Sequence, residues 1–131
     1  MGATVSAAGL TFGVSGYTIN GTSPNTPPLT STGTGATCAI NATNTSGTNT
    51  IGAPIILGAA ASSTQTFTQA TGGKLIMDGV ISSTNAIAGL TLTGGRAYTF
   101  IGANTYSGAT TINAGTLLIN GNQSSRQERY R

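Results

Sequence analysis

The segment Ala8-Gly9-Leu10-Thr11-Phe12, followed shortly by Tyr17-Thr18-Ile19, returns as Ala88-Gly89-Leu90-Thr91-Leu92, followed by Tyr98-Thr99-Phe100. The offset is about 80 residues, the mark of an internal repeat. If one coil takes roughly 20–27 residues, the two copies stand three or four coils apart and project onto the same face. In both copies large apolar residues alternate with threonine, and alternate side chains of a strand point to opposite sides, so one face is packed and the other wet. Stacked coils satisfy this pattern. Their inward positions line up as apolar columns, and each strand hydrogen-bonds to the coils above and below at about 4.8 Å spacing. A Greek-key sandwich, which can also carry similar strands, is the alternative.

Working outward, the same kind of short segment recurs along the chain: Leu10–Phe12, Tyr17–Ile19, Thr37–Ile40, Ile55–Leu57, Thr64–Thr68, Leu75–Met77, Val80-Ile81, Leu90–Leu92, Tyr98–Phe100, Thr110–Ile112 and Leu117–Ile119. Each is bounded by Gly, Asn, Ser or Pro, the punctuation of strands with frequent turns. About eleven strands fit this reading. Glycine and alanine at the corners let the chain turn without steric cost. Long helices are not expected in a chain dominated by Thr, Ser, Asn and Gly.

Composition narrows the function classes. The 131 residues fit one domain. Charged residues make up 5%, against about 25% in an ordinary domain, so solubility rests on hydroxyl and amide groups. From Met1 to Ser125 the only charges are Lys74, Asp78 and Arg96, while Arg126, Glu128, Arg129 and Arg131 crowd the end. Of the net charge of +3, the tail carries +2 and the body +1, so the body is close to neutral and offers no basic face to follow a phosphate backbone. Nucleic acid is not an expected partner. Cys38 is the only cysteine, which leaves no internal disulfide and reads as a small core residue. No apolar run approaches the roughly 18–20 residues that span a bilayer, so direct membrane insertion is not expected. The N-terminus carries no cationic stretch followed by an apolar core, so an exported protein would contain this chain as a piece of something longer.

The stretch from Gly102 to Leu117 is the most specific motif. Gly102, Ala103, Asn104, Thr105, Tyr106, Ser107, Gly108, Thr110, Thr111, Ile112, Asn113, Gly115, Thr116 and Leu117 closely resemble the autotransporter-associated β-strand repeat, with its G-A-N-T-Y-S-G-x-T-T-I-N-x-G-T-L hallmark. Ala109 stands where that family usually has a second glycine. Weaker likeness extends over residues 5–121, through Gly9–Phe12, Gly16–Ile19, Ile51–Leu57 and Gly73–Ser82. The resemblance implies a right-handed parallel β-helix in a passenger displayed outside a Gram-negative-type cell. The residues also have a mechanical reading of their own. Tyr106 covers the packed column while its hydroxyl reaches solvent or backbone. Gly108 permits a strained turn. Ile112, Leu117 and Ile119 fill inward positions, and Asn104 and Asn113 suit corners where amides bond the local backbone.

Catalytic chemistry is sparse. Without histidine, Ser-His-Asp, Cys-His and histidine–metal arrangements are impossible within the chain. Glycoside hydrolysis needs two placed carboxylates, and only Asp78 and Glu128 exist. Lys74, Asp78 and Arg96 fall short of the ligand count of a calcium site, such as the β-helical pectate lyases use. The chain is therefore expected to be no enzyme and to hold no cofactor or metal. Four Asn-x-Ser/Thr triplets begin at Asn20, Asn41, Asn44 and Asn122, a number expected by chance in a sequence this rich in Asn and Thr.

The expectation is an all-β fold, a right-handed parallel β-helix or β-solenoid of about four to five coils, over residues 1–121, with a polar basic tail over 122–131. Its expected role is a structural stalk or adhesin segment, extracellular or at the bacterial cell surface. Its partners would be neighbouring solenoid coils of the same or a longer chain, with end-to-end self-association and a host or cell-surface ligand as further candidates. One alternative is a self-assembling extracellular fibre subunit, since open ends leave strand edges unpaired. Another is an ice-binding solenoid, with Thr30-x-Thr32-x-Thr34, Thr43-x-Thr45, Thr64-x-Thr66-x-Thr68 and Thr91-x-Thr93 as rows. Their irregular spacing along the chain does not by itself align them.

Overall fold

The computed structural model describes residues 5–7, 9–21, 28–31, 39–57, 64–84 and 88–122. Among them the fold is all-β, with three sheets and no helix. The first sheet holds β1 (Val5–Ala7), β4 (Leu29–Ser31), β7 (Ile55–Leu57) and β10 (Ile81–Ser83). The second holds β2 (Gly9–Phe12), β5 (Ala39–Ala42), β8 (Gln65–Gln69), β11 (Leu90–Gly94) and β13 (Thr110–Ile112). The third holds β3 (Thr18–Ile19), β6 (Thr48–Ile51), β9 (Lys74–Met77), β12 (Ala97–Phe100) and β14 (Thr116–Ile119). Cys38 and the tail beyond Asn122 lie outside the described residues.

The chain visits the three sheets in rotation, and every pairing is parallel. Up to β12 each strand pairs with the one three places further on. This is the arrangement of a β-solenoid-like fold and not of a Greek-key sandwich, whose hairpin-connected strands run antiparallel. The two copies of the internal repeat fall where the repeat places them. β2 and β11 share the second sheet, β3 and β12 the third, each pair separated by two intervening strands.

The register builds apolar columns. In the second sheet Leu10, Ile40, Phe67, Leu92 and Ile112 stand in line, and in the third Ile19, Ile51, Met77, Phe100 and Ile119 do the same. Ile55 and Ile81 continue the packing from the first sheet. The middle members are buried, whereas Leu10, Ile19, Ile112 and Ile119 at the two ends are half-buried because no further strand among the described residues covers them. Each fully buried side chain of this kind contributes about 1.5–3 kcal/mol. The columns are therefore the main stabilising feature, and they weaken towards each end.

Glycine sets the corners. Gly16, Gly47, Gly72, Gly94 and Gly115 all have positive φ, and each lies between a second-sheet strand and the following third-sheet strand or closes the former. A side chain there would force the left-handed region that L-residues avoid.

Three strands escaped the sequence reading. In β6 the inward pair is Asn49 and Ile51, so the apolar alternation is half missing. β4 follows Pro27-Pro28, and β1 has a single large apolar residue. For β4 and β6 the partner strands supply the pattern that the segment itself lacks, whereas β1 pairs only with β4 among the described residues.

Candidate functional site

The Gly102–Leu117 motif forms the last described turn of the stack. From Ala103 to Thr110 exposure alternates residue by residue, with Asn104, Tyr106, Gly108 and Thr110 inside and Ala103, Thr105, Ser107 and Ala109 outside. This period of two is that of a strand, although only Asn104 makes a bridge here. The segment takes the first-sheet position beyond β10. Thr105 N donates to Ile81 O at 2.9 Å, and Ile81 N donates to Asn104 Oδ1 at 2.8 Å.

Four expectations about these residues change. Asn104 reaches beyond a local corner: it is 1% exposed, and its amide oxygen accepts from Ile81 N on a strand 23 residues earlier. The Tyr106 hydroxyl does not reach solvent, because the ring is fully buried and the hydroxyl pairs with Thr110 Oγ1. Gly108 has no positive φ, and it is glycine because a Cβ would lie 2.2 Å from Ala88 O. Close stacking of two backbones, not a strained turn, excludes a side chain there. Ile112, Leu117 and Ile119 are only half-buried, since they sit at the open end. Gly102 repeats the Gly108 logic against Gly79 O, at 2.5 Å. Thr111, Asn113 and Thr116 are exposed, and Gly115 turns the chain from β13 to β14.

A buried amide ladder was not visible in the sequence. Asn49 Nδ2 donates to Asn44 Oδ1 and to Val14 O, each at 3.0 Å, while Asn49 Oδ1 accepts from Tyr17 N at 3.0 Å. Gln69 Nε2 reaches Asn44 O at 3.2 Å and Ala70 O at 3.3 Å. These amides tie together three successive corners between the second and third sheets. A buried polar group is costly unless bonded, so such a ladder fixes register. In sequence, Asn and Gln near glycine read as turn formers, which hides them.

Tyr98 is a second buried hydroxyl, donating within reach of Thr93 O at 2.6 Å and Phe67 O at 2.8 Å. Burial pushes its pKa from 10.0 up to about 12, against the smaller opposing effect of the backbone at Thr93 and Gln69. The unfolded chain gives up this proton first as pH rises. The contribution is therefore complete below about pH 10 and lost between there and about pH 12. Denaturant midpoints measured from pH 8 to 12 are expected to fall over that window, and to fall less in Tyr98→Phe.

Lys74 opens β9, Asp78 follows it, and Arg96 precedes β12. Among the described residues no group of three or more His, Cys, Asp or Glu comes together. The threonine rows fare differently. Thr66 pairs with Thr91 and Thr91 with Thr111, while Thr68 pairs with Thr93, so two rows align on the outer face of the second sheet. Asn41 extends the second column to Thr11. Thr30 lies in the first sheet, Thr43 and Thr45 lie in a corner, and Thr32 and Thr34 lie outside the described residues.

Comparison with protein-family models, with curated proteins and with solved structures finds no match to the chain.

Proposed function

We propose that the chain is a structural segment of a surface-displayed, autotransporter-type passenger, its three sheets wound as a right-handed β-helix of four to five coils. The observation that carries this reading is the rotation of the strands through three parallel sheets, with the Gly102–Leu117 motif stacked on the preceding strands as one more turn. Right-handed winding is the hand that twisted parallel strands favour. The role is geometric. Coils stacked along one axis give length, and a backbone bonded on both sides resists proteolysis. Such a segment extends a stalk away from the outer membrane and can carry an adhesive end. Its partners are the coils that precede and follow it in a longer chain.

The reading frame around the segment tests this directly. An upstream signal peptide, with downstream alternating strands of about 10 residues each forming a translocating barrel, is the expected result. A natural stop after Arg131 with no export signal upstream contradicts it.

One observation favours a second reading. The aligned Thr66/Thr91/Thr111 and Thr68/Thr93 columns form an uncharged hydroxyl array on a parallel sheet, the arrangement an ice-binding face requires. Growth of ice crystals in the protein's presence without any change of shape disposes of it.

A further inference from the structure

We infer that the two ends of the stack are complementary docking faces, and that each binds the opposite end of a second copy of this chain. The inference rests on the coiled reading of the fold and not on surface display; it concerns the 131-residue chain by itself, whose end faces the neighbouring coils of a longer chain would otherwise cover.

At one end β2 and β3 are edge strands, and at the other β13 and β14 are. Edge strands present unpaired backbone donors and acceptors, which proteins usually guard with lysine, proline or bulges. None of these four strands carries a charge or a proline, and the described charges Lys74, Asp78 and Arg96 all sit on inner turns. The side chains match as well. Leu10, Phe12, Val14, Tyr17 and Ile19 line an open hollow at the β2–β3 end, with Val14 and Tyr17 more than half exposed. At the opposite end Ile112 and Leu117 are partly buried hydrophobics with no strand beyond them among the described residues.

Continuing the columns fixes the register. Ile112 of one copy falls over Leu10 of the next, Leu117 over Tyr17, and Ile119 over Ile19, so that β13 pairs with β2 and β14 with β3 in the parallel sense. The corner glycines fit the same step. At Gly47, Gly72, Gly94 and Gly115 the space of an added Cβ is already filled by the preceding turn, whereas around Gly16 nothing lies within 4 Å. The corner of a preceding copy fills that space. Because the two faces differ, the contact is heterologous and does not close, and copies add along one axis as a filament.

The full chain is tested by sedimentation velocity over a dilution series and by electron microscopy. Wild type is expected to grow in mass with concentration and to form unbranched filaments. Ile112→Lys blocks one end and Leu10→Lys the other. Each variant alone is expected to be monomeric at concentrations at least about tenfold above those at which wild type associates, while an equimolar mixture forms one-to-one dimers through the two intact faces. Far-UV circular dichroism identifies variants that have lost the β fold, and Ile119→Lys with Ile19→Lys provides the same pair on the third sheet. A folded wild-type monomer throughout the series overturns the inference and indicates that the chain's own terminal segments cover the ends. Self-dimerisation of a single blocked variant, or a folded mixture that stays monomeric, overturns it too. Loss of the β signal from the wild-type monomer is a failure of the coiled fold itself.

Discussion

Tyr106→Ala is expected to lower stability by about 3–5 kcal/mol, the range for deleting a fully buried aromatic ring. The ring is 0% exposed and sits where the Gly102–Leu117 segment crosses the first-sheet position. Its removal leaves a cavity between β10 and the turn leading to β13. Tyr106→Phe keeps the ring and removes the hydroxyl that pairs with Thr110 Oγ1, so its cost is expected to be about 1–2 kcal/mol. In a stack where each turn touches only its neighbours, the effect is local before it is global. Hydrogen exchange is expected to accelerate first over residues 104–119, and urea midpoints report the total. A Tyr106→Ala cost below about 1 kcal/mol would mean that the motif is surface decoration and not a packed turn.

Gly94→Ala is expected to be the most damaging single-methyl change. Gly94 has φ +114°, and an added Cβ would lie 1.9 Å from Gln69 O and 2.8 Å from Gln69 C. The positive φ alone costs roughly 1–2 kcal/mol for an L-residue, and the contact forces β11 away from β8, for a total of about 3 kcal/mol or more. Gly13→Ala is the control. Gly13 has neither a positive φ nor any atom within 4 Å of an added Cβ, so the same methyl is expected to be neutral or to stabilise by up to about 1 kcal/mol through the unfolded chain. Paired denaturation curves for the two variants separate stacking constraints from glycine content in general. Equal effects would remove the corner from the account.

The difference between these two glycines also shows where sequence reading stops. The repeat of Ala8–Phe12 at Ala88–Leu92 carried the fold, because alternation and spacing are both local quantities that a chain prints directly. Glycine marked the turns, but whether a given glycine serves φ, close approach or neither depends on the turn beneath it. β6 was missed for the same reason, since Asn49 reads as polar until Asn44 and Val14 O bond it. At the motif, the residue types were legible and their partners were not. In one dimension Asn104 reads as a corner residue and Tyr106 as a ring over the packed column with a free-reaching hydroxyl, and only stacking shows them bonded to Ile81 and Thr110. The threonine rows show the converse, irregular along the chain yet aligned across strands, because turns of unequal length return each strand to the same sheet.

Cysteine cross-linking across the second sheet tests the central claim, that successive turns stack in parallel register. In a Cys38→Ala background, Thr66→Cys with Thr91→Cys and Thr91→Cys with Thr111→Cys join register partners on neighbouring strands. Their Cα atoms are about 4.8 Å apart, within disulfide range. Thr66→Cys with Thr111→Cys spans two strand spacings, about 9.6 Å, which is beyond that range. The expected result is rapid intramolecular oxidation of the first two pairs and none of the third, at concentrations where the protein is monomeric. Closure of the Thr66–Thr111 pair, or failure of both neighbouring pairs in folded protein, would contradict the parallel stack.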